Sequence, residues 1–216
     1  MAGMALLRRL ALLLLLAPAA AQAQEADPWT ACGRAITAAE RGSGIPAGLL
    51  LAIARVESGR ARPGGGSAPW PYALNAAGVG RFPETRAAAI AEVEALRGQG
   101  IRSVDVGCMQ VNLFHHPEAF PSLEAAFDPP TNVAYAARFL RELRGRTGNW
   151  AEAVAQYHSS EPGRGLAYHS RVTVSRVAGG VALGSARNLA GLCAPGLSAR
   201  LVVAPNGRPR TVCRRG

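Results

Sequence analysis

Apolar residues recur at intervals of three and four positions along much of this chain, the spacing that puts them on one side of an α-helix. In residues 84–97, for example, Ile90, Val93 and Leu96 share such a side. This periodicity, with capping residues and glycines at its ends, predicts six helices. They cover residues 29–41, 47–58, 84–97, 131–144, 150–159 and 166–177.

Local signals set the expected ends of several helices. Thr131 is expected to cap the helix that follows it, and Asn149 with Glu152 has the spacing of a capping box. Gly59 directly follows the apolar helix 47–58, and we expect it to close that helix in the left-handed conformation.

The stretches between the helices predict a small amount of β structure. Residues 70–75, 79–82 and 101–106 are expected to be short strands or extended segments. The sequence therefore predicts a mainly α fold of the α+β kind, in which a helical domain over residues 24–177 carries a small β-hairpin or flap insertion. Residues 178–216 are rich in Gly, Pro and Arg, a composition that cannot build a core, and we expect a loosely ordered basic tail there.

The first residues have the features of an export signal. Arg8 and Arg9 precede an apolar run over residues 10–17, and Ala21-Gln22-Ala23 offers a small-x-small cleavage site. The run is shorter than the ~20 residues that a membrane span needs. We therefore expect residues 1–23 to be a cleaved signal peptide, which leaves a periplasmic protein without a stable membrane anchor.

The charge and the cysteines narrow the environment. The formal net charge is +10, which favours association with anionic wall polymers. Every basic residue apart from histidine is Arg. No basic helix or interleaved aromatic pattern indicates nucleic-acid binding. Four cysteines in an exported chain favour two disulfides in one of three connectivities, and Cys32–Cys108 with Cys193–Cys213 is the pairing we prefer.

Glu57 is the first candidate for chemistry. It ends an apolar helix in which Leu50, Ile53 and Ala54 lie on its side, so burial would disfavour its charged form and raise its pKa. A general acid that works near neutral pH needs such a pKa. Spacing alone nevertheless favours the alternative, in which Glu57 ends the helix in solvent or pairs with Arg60.

Four motifs in order give Glu57 a context. Glu57-Ser58-Gly59 is followed by 107–112 (Gly-Cys-Met-Gln-Val-Asn), by Asn132-Val133-Ala134-Tyr135 with Phe139-Leu140, and by Ala155-Gln156-Tyr157-His158. Over residues 30–177 the chain resembles the soluble lytic transglycosylase family of the lysozyme-like superfamily. That resemblance implies cleavage of the β-1,4 bond between N-acetylmuramic acid and N-acetylglucosamine of peptidoglycan glycan strands, with a 1,6-anhydromuramoyl product.

The resemblance also implies roles for individual residues. Glu57 would be the single catalytic acid/base, with no metal and no organic cofactor. The residues expected to bind the substrate or to line its cleft are Ser58, Met109, Gln110, Asn112, Tyr157 and His158. Two positions depart from the family pattern, since Cys108 replaces Leu and His158 replaces Asn. The first departure suits a disulfide beside the cleft and the second adds a group that titrates near neutral pH.

Several alternatives stay open at this stage. If Asp105 faces Glu57 across a water molecule, the enzyme would be a hydrolytic muramidase, because the spacing of two carboxyl groups decides that outcome. A non-catalytic cell-wall-binding assembly scaffold is the alternative from another class. Some relatives open the wall for a flagellar rod or a secretion system, and the basic tail 187–216 is a candidate docking segment for such a machine.

Two further groups of residues lie near these motifs in sequence. We expect Trp70, Tyr72, Asn75 and Phe82 to form the flap that narrows the cleft. A zinc site at His115, His116 and Glu118 is disfavoured, because the group lacks the i,i+4 histidine spacing of a helix and contains Pro117.

Overall fold

Helices account for most of the chain that this computed structural model describes, which comprises residues 27–179, 193, 196–203 and 209–215. The helices are α1 (Pro28–Glu40), α2 (Leu49–Ser58), α3 (Arg86–Gly98), α4 (Leu123–Ala126), α5 (Pro129–Thr147), α6 (Trp150–His158) and α7 (Pro162–Ala178). All six predicted helices are present, and only the one-turn α4 was not predicted.

The strands are short and antiparallel. They are β1 (Gly59–Ala61), β2 (Ser67–Pro69), β3 (Leu74–Ala76), β4 (Val79–Arg81), β5 (Val104–Val106), β6 (Val111–Asn112), β7 (Leu197–Val203) and β8 (Pro209–Arg215). β1 pairs with β2, and a four-stranded sheet has the order β4-β3-β5-β6. The predicted mainly α, lysozyme-like fold with a small β insertion is confirmed.

The helix ends show where local signals succeeded and failed. Asn149 caps α6 by accepting a hydrogen bond from the amide of Glu152, as predicted. Thr131 does not cap α5. Asp128 is the N-cap residue of that helix, and its carboxylate accepts a hydrogen bond from the amide of Thr131 at 3.0 Å. Gly59 is not left-handed either: its φ is −62°, and it is the first residue of β1. A side chain there would collide with the carbonyl oxygen of Arg55, so the close approach explains this glycine.

Two hydrophobic clusters form the interior. The helical core lies between α1, α2, α5, α6 and α7 and includes Ile36, Leu50, Ile53, Leu140 and Tyr168. The sheet core lies between the four-stranded sheet, α3 and α4 and includes Trp70, Leu74, Val93, Val106 and Phe127. One cleft is lined both by residues of the helices and by residues of the four-stranded sheet and its loops.

The predicted flap needs a correction. Trp70 and Tyr72 are buried in the sheet core, and the indole of Trp70 donates to the carbonyl of Pro83 at 2.7 Å. Phe82 is 40% exposed and does not line the cleft. Among the four predicted residues only Asn75 faces the cleft, because a small sheet uses its large aromatic side chains for its own core.

Both preferred disulfides are confirmed. Cys32–Cys108 joins α1 to the turn between β5 and β6 across 76 positions of sequence. Cys193–Cys213 joins residue 193 to β8. The expectation of a loosely ordered tail is wrong for residues 197–203 and 209–215, which pair as the antiparallel strands β7 and β8, and β8 packs against α7. The domain boundary at residue 177 stays a prediction.

The predicted signal peptide, residues 1–23, lies outside the described residues. Within the described part of the chain, no helix is both long and apolar enough to cross a membrane.

Candidate active site

The helix α2 carries Glu57 in its last turn and is fixed at its N-terminal end. Gly48 offers no side-chain cap, and the carboxylate of Glu40 instead accepts from the amides of Gly48 and Leu50 at 2.9 Å each. The guanidinium of Arg176 donates to the carbonyl of Ala47 just before this helix. Because the body of α2 is apolar and buried, Glu57 is held at a defined place at the end of a rigid element.

Glu57 borders the cleft, yet protein atoms surround its carboxyl group closely. Burial raises its pKa from 4.5 to about 7. The hydroxyl of Tyr168 donates to its Oε1 at 2.5 Å, which lowers the pKa, whereas the negative charge of Asp105 raises it and Arg171 lowers it slightly. At neutral pH the group is therefore divided between its acid and base forms, as an acid/base catalyst requires.

The cleft in front of Glu57 has a volume of about 820 Å³. Its helical wall consists of Val56, Glu57, Tyr135, Ala136, Phe139, Gln156, Tyr157, His158, Ser159, Ser160, Tyr168 and Arg171. Its sheet wall consists of Asn75, Gly78, Asp105, Gln110, Val111, Asn112, His115 and His116. The helical wall is rich in aromatic rings and the sheet wall in amides and histidines, a combination that suits N-acetylated sugars.

Tyr168 is the residue that sequence reasoning missed. It comes from the buried side of α7, and its ring is fully buried. The imidazole of His158 stacks on it with centroids 4.5 Å apart and an angle of 6° between the planes. A tyrosine on the apolar side of a helix needs a partner for its hydroxyl, and that signal was available in the sequence.

The turn before Gln110 shapes the sheet wall. Gln110 has a φ of +48°, and its side-chain amide donates to the carbonyls of Ala73 and Gly107 at 3.0 Å each. Gly107 has a φ of +80°, and a Cβ atom there would lie only 2.5 Å from the side-chain nitrogen Nδ2 of Asn132. The turn is thus tied to the residue just before β3, and Gln110 is held in a conformation that costs about 1–3 kcal/mol at a non-glycine residue.

Asn132 is the internal support of that turn. It is fully buried in α5, and its Oδ1 accepts from the amide of Met109 at 2.9 Å. Its Nδ2 donates to the carbonyls of Val106 and Ala126. The asparagine of the third motif therefore holds the second motif in place.

Ser58 is not a cleft residue, which corrects the expectation from the resemblance. It is fully buried, and its hydroxyl donates to the carbonyl of Cys108 at 2.7 Å and to that of Ala54. Its hydroxyl therefore does not steer the carboxyl of Glu57. It joins the end of α2 to the disulfide-bonded turn, which positions the two walls relative to each other.

Met109 and Tyr157 are joined by a hydrogen bond. Met109 is fully buried in the helical core and does not line the cleft, which corrects the second expectation. The hydroxyl of Tyr157 donates to the carbonyl of Met109 at 2.9 Å, while its ring borders the cleft. The tyrosine that bonds to the acid is thus Tyr168 from α7, and not Tyr157 from α6.

Asp105 and Asn112 lie side by side on adjacent strands. The amide of Asn112 donates to Oδ1 of Asp105 at 2.7 Å, and both residues line the cleft. Partial burial raises the pKa of Asp105, and the bond from Asn112 lowers it. The sheet wall therefore brings a second carboxyl group into the cleft that holds Glu57.

The histidines next to this pair contact rings and hydroxyls. Nδ1 of His116 and the hydroxyl of Tyr135 are 2.8 Å apart, and Glu118 lies at 3.5 Å from the same hydroxyl. His158 and His115 both border the cleft. In the described residues no group of three or more His, Cys, Asp or Glu side chains is arranged to hold a metal ion.

Comparison with known proteins places this arrangement in a family. The sequence model of one protein family, the transglycosylase SLT domain, matches residues 34–164, which is more than half of the chain. No curated protein and no solved structure matches. The matched segment runs from α1 into α7 and includes every catalytic and binding residue predicted from the sequence, although it ends four residues before Tyr168. The chain belongs to the transglycosylase SLT domain family, whose members are lytic transglycosylases that act on peptidoglycan.

Proposed function

We propose that Glu57 alone serves as acid and base in cleaving the β-1,4 bond between N-acetylmuramic acid and N-acetylglucosamine. The observation that carries this proposal is its carboxyl group, which borders the cleft, accepts from Tyr168 at 2.5 Å and has a pKa of about 7. A carboxyl group with that pKa donates and recovers a proton near neutral pH with little cost in either direction.

The two proton transfers balance without a water molecule. Protonated Glu57 gives its proton to the glycosidic oxygen as the bond to the muramoyl anomeric carbon breaks. The 6-hydroxyl of the same muramoyl residue then attacks that carbon, and Glu57 takes up the hydroxyl proton. The products are a 1,6-anhydromuramoyl end and a free N-acetylglucosamine 4-hydroxyl. Because the nucleophile belongs to the substrate, its effective molarity is high.

The polar residues of the cleft would bind the glycan. Gln110 uses its side-chain amide nitrogen on the backbone, so its Oε1 is placed to accept from the N–H of an N-acetyl group. Asn112, Tyr157 and His158 border the same cleft. Ser58 and Met109 support these residues from the interior and are not proposed to touch the substrate.

Hydrolysis is the second candidate, and Asp105 is the observation that favours it. Its carboxyl group lines the same cleft, and its charge contributes to the raised pKa of Glu57. A water molecule between the two carboxyl groups would make Asp105 the base of an inverting muramidase. The bond from Asn112 favours a different role, in which Asp105 is an electrostatic neighbour of the acid.

Analysis of the products distinguishes these candidates. Peptidoglycan is digested with residues 24–216 and, in parallel, with the Glu57→Gln variant, and the muropeptides are weighed by mass spectrometry. We expect ends lighter by one water (~18 Da), and a loss of rate by a factor of about 10²–10⁴ in the variant. Full-mass reducing ends would instead show that water is the nucleophile. Glycan binding without cleavage by either protein would support the non-catalytic scaffold.

The site of action is proposed to be the periplasm. Two disulfides fit an exported protein, and the features of residues 1–23 support a signal peptide. N-terminal sequencing of the exported protein should start at Gln24. A start at Met1 would contradict the cleavage.

The physiological role is proposed to be the opening of the wall for a flagellar or secretion machine. The support is the strand pair β7–β8, which lies outside the family match and is fastened by its own disulfide. Deletion of residues 187–216 should leave product formation intact in solution and abolish co-purification with the machine. Unchanged co-purification would exclude the tail as the docking segment.

A further inference from the structure

A second cavity of about 510 Å³ lies next to the cleft and has no part in the proposed proton transfers. It differs from the cleft because its lining has two arginines and apolar surface but no carboxyl group. The lining residues are Arg97, Arg102, Leu113, Phe114 and Pro117, and we call this cavity the arginine pocket.

The two guanidinium groups of the arginine pocket are not neutralised within the described residues. Arg97 comes from the last turn of α3, Arg102 lies just before β5, and both are exposed. Neither forms an ion pair or a side-chain hydrogen bond with another described residue. Phe114 is 50% exposed, and the guanidinium of Arg102 lies 5.7 Å from the centre of its ring. The pocket therefore offers a carboxylate two charged donors beside an apolar surface.

The arginine pocket is joined to the cleft through one short loop. Oδ1 of Asn112 accepts from the amides of Phe114 and His115 at 3.0 Å each. The rings of Phe114 and His115 are 5.3 Å apart, and one lines the arginine pocket while the other lines the cleft. Asn112 also holds Asp105 inside the cleft. A group attached to a sugar in the cleft would therefore reach the pocket by passing this loop.

We propose that the arginine pocket binds the carboxylates of the peptide stem attached to the glycan strand, so that the enzyme prefers peptide-bearing over naked glycan. The inference rests on the proposed function, since it requires a glycan strand in the cleft. In a peptide-bearing strand the sugars are neutral, because the lactyl carboxyl of N-acetylmuramic acid is the point at which the stem is attached. The stem itself carries carboxylates and methyl groups, which are the two features that the pocket complements. Two exposed Arg–carboxylate pairs should give a preference of a factor of about two to thirty, which should weaken with salt.

The test uses uncrosslinked glycan strands of one length, with their peptides intact or removed by an amidase. The amidase leaves one lactyl carboxylate next to each muramoyl ring, so the comparison reports on the carboxylates of the stem beyond that point. The ratio of cleavage rates on the two substrates is measured for the wild type and for an Arg97→Gln/Arg102→Gln double variant. The wild-type ratio should exceed one and should fall towards one in the variant. An Arg41→Gln/Arg141→Gln double variant has the same net charge and changes exposed arginines outside both cavities, so its ratio should equal that of the wild type.

A binding measurement separates the failure of this inference from the failure of the proposed function. The free stem tetrapeptide is titrated into isotopically labelled protein, and NMR shifts are expected at Arg97, Arg102 and Phe114. Equal cleavage of both substrates with anhydro ends would retain the proposed function and overturn the arginine pocket as a stem site. Absence of cleavage would overturn the proposed function. The titration would then show by itself whether the arginine pocket binds the stem peptide. Shifts elsewhere, or equal shifts with inorganic phosphate, would overturn the peptide assignment.

Discussion

The helical wall of the cleft carries Glu57 and Tyr168, whereas the sheet wall carries Asp105 and Asn112, and Tyr168 and Asp105 shift the pKa of Glu57 in opposite directions. Tyr168 stabilises the charged form of Glu57 through a hydrogen bond, and Asp105 disfavours it through its negative charge. Burial has a larger effect than either. The raised pKa of Glu57 is therefore due mainly to burial of its carboxyl group, and the two walls adjust that pKa.

The walls also differ in how their residues are held. The helical wall rests on long helices with a shared core, and Tyr168 is fully buried there. The sheet wall rests on strands of two or three residues, and its polar groups are fixed by side-chain hydrogen bonds such as that from Asn112 to Asp105. Helical packing thus sets the position of the acid, and a polar network sets the surface opposite to it.

The largest expected effect comes from separating the walls. A Cys32→Ala/Cys108→Ala variant loses the link between α1 and the turn that leads into β6, and we expect a cost of about 2–5 kcal/mol in the free energy of unfolding. Denaturant unfolding monitored by circular dichroism measures this cost.

The second disulfide provides the matched control. Cys193 and Cys213 are only 20 positions apart, against 76 for the first pair, so a Cys193→Ala/Cys213→Ala variant should lose less stability in the chain-entropy account. An equal or larger loss from the tail pair would show that Cys32–Cys108 does not hold the two walls together.

The burial of the acid predicts a gain of stability from removing its charge. The pKa of Glu57 is about 7 in the folded protein and close to 4.5 in the unfolded chain. Below pH 4.5 the carboxyl group of Glu57 is protonated in both the folded and the unfolded state. As the pH rises towards 7 it ionises first in the unfolded chain. The free energy of unfolding therefore falls by at most about 3 kcal/mol by pH 8. Glu57→Gln should therefore stabilise the protein more at pH 8 than at pH 4.

Unfolding titrations at the two pH values check this prediction. Glu152→Gln, an exposed carboxyl group at the start of α6, is the control and should show no such difference. If the stability of Glu57→Gln relative to the wild type is the same at pH 4 and pH 8, the carboxyl group of Glu57 is not desolvated.

Tyr168→Phe tests the helical wall. The pH–rate profile of the wild type should fall above about pH 7, where Glu57 loses its proton. Removing the hydroxyl removes a bond that lowers the pKa, so this fall should move to higher pH, and the rate should drop by about tenfold because one hydrogen bond to a charged group is lost. An unchanged profile would mean that the bond to Tyr168 does not influence the acid.

Asp105→Asn tests the sheet wall and should have the smallest effect. The variant removes a negative charge that raises the pKa of Glu57, so the fall in rate should move to lower pH, opposite to Tyr168→Phe. The oxygen of the new amide can still accept from Asn112, which keeps the sheet wall in place. A loss of activity comparable to that of Glu57→Gln would show instead that Asp105 is a base in the reaction.

The sequence by itself determined the helices and the fold class, singled out Glu57 as the candidate acid, and favoured the cysteine pairing that the structure contains. Helical periodicity is a local property, and the four motifs in order identified the family that residues 34–164 match. Local signals failed where a close contact that residue type alone does not encode decided the outcome. Gly59 is explained by the carbonyl of Arg55, and the aromatic residues of the expected flap fill the sheet core.

Only the tertiary structure decided which side chains meet in the cleft. Glu57 and Tyr168 are 111 positions apart, and no spacing rule connects them. The structure also moved Ser58 and Met109 from the cleft to its support, because side chains that are neighbours in sequence point to different sides of a helix or turn. Burial of the carboxyl group sets its pKa, and burial depends on how distant helices pack, which the order of residues along one helix does not contain.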